Sequence, residues 1–481
     1  MTTATPDLLA PAAPAPHGAA ASAEDKPSAA ILGGAHSYAS ISGKISDIIL
    51  TLPTPRWWGV AFGLTSMLTL VFFGAIGYLF YTGVGIWGLN VPVVWAFDIT
   101  NYVWWIAIAM SGTFISAALH LTRQPWGASI SRFAEAMTIF ALAIAGMFPI
   151  IHLGRPWFFY WLAPYPNVMS LWPQWRSPLV WDFFAILAYV LLSVMFWYLG
   201  LIPDFATLRD RARSRPVQIA YGLLALGWRG EARHWRLRQS AHLLLAGLAV
   251  PLVVSVHSVV GLDFATGNTP GWHSTIFPPF FVAGAMFSGF AMAMTIAVPL
   301  RRAFDLRDFI TDRHLDNLAK LILAMGLVLA YSYVMEIFMA WYSGDRYEIY
   351  TTLNRMRGPY APVYWALILC VVVVPQALWS RKVRHSPWIL VGISLVINVG
   401  MWLEHFMLIV TSQHRDFLPS AWGMFYPTIW DWATLIGSIG FFAWLLLLFV
   451  RFVPLISMTE MRELLARERG DSWTRGTAAT H

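Results

Sequence analysis

A chain of 481 residues that is 58% hydrophobic and only 12% charged cannot cover itself with a water-compatible surface, since soluble domains carry about 25% charged residues. With a mean hydropathy of +0.58 and a formal net charge of +7, it excludes a soluble globular enzyme and reads as an all-α polytopic membrane protein. The single cysteine, Cys370, excludes an intrachain disulfide and a cysteine-ligated iron–sulfur cluster.

Residues 1–46 are rich in Ala, Pro and Ser and read as a disordered tail. No basic start is followed by an apolar core, so this is not a secretory signal. A spanning helix needs roughly 20 mainly apolar residues. Ten windows qualify: 59–83, 101–121, 134–152, 179–201, 241–261, 278–300, 319–342, 361–380, 388–410 and 430–453. Residues 456–481 follow as a second tail. The 26 tryptophans suit the aromatic belts at the two interfaces.

Lys and Arg divide unevenly across these spans: 26 fall on the side of the termini and six on the other. The imbalance predicts cytoplasmic termini in a cell inner membrane. Eight of the arginines lie between residues 202 and 240, where 216–242 reads as an amphipathic surface piece or as an ordinary orienting loop. Basic clusters that flank membrane spans point to lipid and away from nucleic acid. No phosphate loop, zinc pattern or nucleophile elbow stands in a suitable context.

Ionisable groups inside a span are functional candidates by default. His152 closes the third span, Asp182 opens the fourth in 177-SPLVWDFF-184, and His257 and Asp263 lie late in the fifth. Glu336, Glu404, His405 and Asp431 form a second set on the seventh, ninth and tenth. With the predicted orientation all lie in the outer half of the membrane, leaving the inner half sparse, with His120 and Glu135 among its few groups. A histidine and carboxylates in one pocket suit a ligand with exchangeable protons. A quinol is such a ligand, and 157-WFFYW-161, Trp181 and Trp272 are candidates for an aromatic slot around its ring. Each residue also has a plainer reading: an interfacial cap for His152 and Asp263, a core histidine for His257, an interface anchor for Arg155, helix-to-helix contacts for the second set.

Ten spans, the Ala/Pro-rich tail, 152-HLGRPW-157 and 181-WD-182 resemble the NrfD/PsrC family, the membrane anchors of polysulfide- and nitrite-reductase-type complexes. The size, the terminal helices and 261-GLDFATGNTPGWHSTIFPPFF-281 look most like ActC, a quinol-oxidising subunit of alternative complex III, with its paralogue ActF also similar. The resemblance covers about residues 55–455. It implies two four-helix bundles, spans 2–5 and 6–9, with spans 1 and 10 outside, and a quinone site in the first bundle near the outer surface. It matches His152, Asp182 and Asp263 to that site; Arg155, Trp181 and His257 join the candidate binding set from the reading of the residues, Arg155 as a group that could hold a carboxylate. It further implies menaquinol or a related quinol as substrate and no haem in this chain. The partners it implies are an iron–sulfur subunit docked on the outer face, an NrfD-like paralogue and cytochrome c subunits. Proton translocation stays open; a route would need His120 and Glu135 to connect with Glu336, Glu404, His405 and Asp431. Two other classes remain. One is a haem-bearing cytochrome b using pairs such as His120 with His242, or His152 with His257 or His405; the other is a proton- or cation-coupled transporter, although no span is obviously broken by paired Gly/Pro motifs.

Overall fold

A computed structural model describes residues 31–163 and 175–470. Ten helices among them are long and apolar enough to cross a membrane, and each overlaps one of the ten expected windows. They are α2 (Arg56–Thr82), α3 (Phe97–Leu121), α4 (Gly127–Ala145) continued by α5 (Phe148–His152), α6 (Pro178–Arg211) and α8 (Ala232–Ala265). After them come α9 (Phe277–Ala303), α10 (Asp312–Tyr342), α12 (Ala361–Ile368) with its continuation to Trp379, α14 (Pro387–Gln413) and α15 (Ile429–Phe452). Helix is dictated by the solvent: hydrocarbon offers no partner to a backbone N–H or C=O, so each span satisfies its own. Proline stands at the first or second position of α6, α9 and α14, where a missing N–H costs nothing.

Two closed rings of neighbours result. α3 packs on α4, α4 on α6, α6 on α8 and α8 back on α3; α9, α10, the α12 segment and α14 close in the same way. α2 and α15 pair with each other outside, and α15 also touches α3 and α4. The rings meet where α9 packs against α3 and α8. That seam makes α3 and α9 central: 89% and 83% of their most apolar windows are buried in protein, against 22% for α2, which faces lipid.

Close packing at the seam needs a residue without a side chain. A Cβ at Gly289 of α9 would lie 1.5 Å from Ser111 Oγ of α3. Between α15 and α2, a Cβ at Gly437 would meet the Phe72 backbone at 2.9 Å. Such small-residue contacts let helices approach where no hydrophobic force drives them together.

The structure departs from the sequence expectation in four places. Residues 31–46 do not form a tail: α1 (Tyr38–Leu50) is capped by Ser37 and buries Ile41, Ile45, Ile48 and Ile49. The Ala/Pro bias of the preceding stretch masked that helical spacing; residues 1–30 lie outside the described residues. The C-terminal tail likewise begins with a docked helix, α16 (Met458–Arg469), which packs on α1, α4 and α6; residues 471–481 lie outside the described residues as well. Segment 216–242 splits between α7 (Arg215–Leu224) and the first turns of α8. The eighth span is broken, with a π turn at Leu369–Val373 followed by a 3-10 stretch at Val374–Trp379, where Pro375 removes a donor from the ladder.

A buried ion pair fastens the basic end of the first ring. Arg132 of α4 donates to Asp204 Oδ2 and to the Gly200 carbonyl of α6 at 3.0 and 2.8 Å, and Thr459 of α16 donates to Asp204 Oδ1 at 3.1 Å. Beside them, burial pushes the Glu460 carboxyl up to about 7 against the pull of Arg132 and Arg238. A carboxyl raised in the fold contributes fully below its unfolded value near 4.5, and that contribution is lost as pH rises to about 7.

This packing makes Gly289 intolerant of a side chain. Gly289→Val should abolish recovery of folded protein from membranes, whereas Gly392→Ala, with nothing within 4 Å, should leave it unchanged; size-exclusion yield in mild detergent checks both. Glu460→Gln should raise the unfolding temperature at pH 8 and leave it unchanged near pH 4, and equal effects at the two pH values would contradict the assignment.

Candidate functional site

The start of α3 carries Asp98 and Tyr102, one turn apart and therefore on one face. Asp98 Oδ1 accepts from the Ala96 N–H at 2.9 Å, which fixes the carboxylate. Its Oδ2 meets His152 Nδ1, brought by α5 from the next span, in a very short contact. The pairing directs Nδ1 inward and leaves Nε2 as the free face of a half-buried imidazole.

Tyr102 donates to Asp182 Oδ2 at 2.6 Å, joining α3 to α6 just past its first turn. Asp182 Oδ1 is buried and has no hydrogen-bond partner, and the same holds for Oδ1 of Asp263 at the end of α8. The two carboxylates lie near enough to interact electrostatically. Buried polar atoms are ordinarily satisfied, so these two orphaned carboxylate oxygens at one end of a bundle are acceptors open to a donor.

An aromatic wall stands beside this cluster. Trp95 and Trp272 stack at 5.6 Å between ring centroids, Phe264 lies edge-on to both, and Trp95 is 6.5 Å from the His152 ring. The wall is held from the second ring: Trp272 Nε1 donates to the Leu408 carbonyl at 2.8 Å, and Gln413 Oε1 accepts from the Trp95 N–H at 3.2 Å.

The other expected residues are placed differently. Trp181 is exposed and donates to the Trp175 carbonyl at 2.6 Å. Arg155, Trp157, Phe159, Tyr160 and Trp161 are also exposed. His257 lies deeper, its Nδ1 2.9 Å from Met110 Sδ and its Nε2 unpartnered. His405 packs with His257 around Phe281.

The second acidic set does not form one cluster, and its Glu336 belongs to a clasp on the loop that carries Trp272. Glu336 pairs with Arg355 at 2.7 Å; Arg355, on α11 (Arg346–Arg357), donates to the Gly271 carbonyl at 3.1 Å, and Glu348 accepts the Gly271 N–H at 3.1 Å. Burial raises the Glu348 carboxyl above its usual range. Glu404 accepts from Tyr333 at 2.5 Å. Asp431 caps α15 through Thr428 and also accepts the Gly88 N–H at 3.0 Å.

At the basic end Glu135 accepts from Ser116 at 2.5 Å, and the His120 and His242 rings meet edge to face at 4.6 Å. Those two rings leave no room for a porphyrin between them, so this pair does not fit bis-histidine haem ligation. Among the described residues no group of three or more His, Cys, Asp or Glu side chains could hold a metal ion.

Sequence reasoning missed Asp98, Tyr102 and Trp95. Asp98 falls three residues before the apolar window that opens at 101, so it read as loop; its spacing of four to Tyr102 in 98-DITNY-102 is the signal that could have placed it.

The arrangement can orient an imidazole, offer two carboxylate acceptors and hold a flat ring. Comparison with known proteins agrees on the class of molecule. Residues 85–415, more than half of the chain, match the family described as polysulphide reductase, NrfD. A putative dimethyl sulfoxide reductase membrane subunit of Halobacterium salinarum is 25% identical over 421 residues, covering 82% of this chain and 90% of that protein. A selenate reductase subunit of Mesobacillus selenatarsenatis is 23% identical over 382 residues, covering 76% and 86%. With this match over most of its length and ten candidate spans among the described residues, the chain belongs to the NrfD family of integral membrane subunits of reductase complexes.

Proposed function

We propose that the chain binds and oxidises a quinol at the end of the first ring, as the membrane subunit of a multisubunit oxidoreductase. The observation that carries this reading is the pair of orphaned oxygens, Asp182 Oδ1 and Asp263 Oδ1, beside an imidazole already oriented by Asp98. A quinol hydroxyl donates to His152 Nε2, and the second hydroxyl donates to Asp182 or Asp263. Oxidation of one quinol to quinone releases two protons and two electrons. His152 and the carboxylates take the protons, and the Asp98 carboxylate stabilises the imidazolium that forms. The electrons leave for an iron–sulfur subunit docked at this end, since a chain with one cysteine offers no cluster ligands of its own. The exposed Trp157, Phe159 and Trp161, a few residues from His152, support a docking surface there.

The finer reading is a menaquinol-oxidising, ActC-like subunit of alternative complex III in a cell inner membrane, termini cytoplasmic and the site facing outward. It stands beside an NrfD-like paralogue and passes electrons on to cytochrome c subunits. The 26-to-six division of basic residues supports the orientation. The presence of His152, Asp182 and Asp263 together supports ActC over ActF. For proton translocation, Glu135 and Ser116 lead toward Thr113, which contacts Thr138 and Ser193 at 3.3 and 3.2 Å. These hydroxyls climb the first ring in the direction of Tyr102 and support a proton route within it.

Asp182→Asn should lower quinol oxidation by native membranes by about 100-fold or more, the size of a lost general base, with the complex still assembled on a native gel. Normal turnover in that variant would overturn the proton-acceptor role. Asp98→Asn should also slow turnover and shift the pH–rate profile, because His152 loses the partner that orients it; an unchanged profile would contradict that role.

A further inference from the structure

At the basic end of the first ring, a cavity of about 320 Å³ opens between the last turns of α6, the turn after α7 and the beginning of α8. Its floor is polar. Arg238 is 6% exposed, yet its Nε and Nη2 have no hydrogen-bond partner, and His234 Nδ1 is buried and unpartnered on the same helix. Arg238 lies 5.9 Å from the Trp235 ring, and Trp228 packs on His234 at 5.3 Å, so an aromatic ring stands against each of the two side chains. Glu135 of α4, Glu460 and Glu463 of α16, and the His120 and His242 rings interact with Arg238 only at longer range. α8 itself starts near here with no side-chain cap.

The rim is apolar and faces lipid: Leu226 and Leu237 are 68% and 59% exposed, and Leu199 and Ile202 line the wall on α6. Arg229, Arg233 and Arg236, next in sequence to lining residues, are all exposed. A buried, unpaired guanidinium needs an anion, and a guanidinium suits a phosphate through parallel N–H donors. A lipid-facing hydrophobic rim around such a floor excludes a purely aqueous ligand.

We propose that this cavity holds the phosphate of an anionic phospholipid, received by Arg238 and His234 while the acyl chains run down over Leu237 and α6. Basic pockets between spans on the positively charged side of a membrane protein are the expected place for such headgroups. The site lies at the opposite end of the first ring from His152, so it stands or falls independently of the quinol reading.

The test is native mass spectrometry of the full-length chain, purified in mild detergent and delipidated. Cardiolipin, phosphatidylglycerol, phosphatidylcholine or inorganic phosphate is then added. Retained adducts with the two anionic lipids and at least fivefold fewer with phosphatidylcholine are expected. Arg238→Gln should reduce the anionic adduct at least fivefold. Should that variant fail to fold, His234→Ala beside Arg238 and Leu226→Glu at the rim should each reduce it at least twofold. Equal retention of phosphatidylcholine, undiminished anionic adducts in the folded variants, or binding of inorganic phosphate without lipid would each overturn the proposal.

Discussion

The contact between Asp98 and His152 is the interaction on which the candidate site depends. It ties the start of α3, the most buried span, to the end of the α4–α5 span, and it fixes which imidazole nitrogen is free. The underlying constraint is that hydrocarbon satisfies no polar group. Every carboxylate, imidazole or guanidinium inside the rings must therefore find a partner in the protein or await one from a ligand. Most find one here: Arg132 with Asp204, Glu404 with Tyr333, Glu336 with Arg355. Two that do not, Asp182 Oδ1 and Asp263 Oδ1, lie together beside His152 at one end of the first ring.

That view separates positioning from chemistry at the site end. The clasp of Glu336, Arg355 and Glu348 grips the Gly271 backbone, and the next residue is Trp272, whose indole is anchored on Leu408. The second ring thus builds one wall for a site whose acids and imidazole all come from the first. Fusing two four-helix rings through α3 and α9 gives a rigid frame at their seam, while the spans α2 and α15 cover the outside.

The ten spans were legible because length and apolarity alone decide whether a segment can cross a bilayer. The depth clustering of His152, Asp182 and Asp263 was legible for the same reason: a titratable group inside a greasy run stands out. Asp98 was not, since it sits just outside a run, where an aspartate costs nothing in sequence terms. Trp95 was lost among 26 tryptophans. Pair contacts such as Tyr102 with Asp182, or Arg355 with Gly271, join residues 80 or more positions apart, and no local pattern encodes them. The helices α1 and α16 escaped notice because short amphipathic segments beside biased composition carry a weak period.

The most direct test is photolabelling of the assembled complex with an azido-menaquinone analogue, followed by peptide mapping. The account predicts label in the segments around Trp95–Tyr102, His152, Asp182 and Asp263–Trp272, with loss of label when excess menaquinone competes. Label confined to the second ring around Glu404 and Tyr333, or label insensitive to competition, would contradict it.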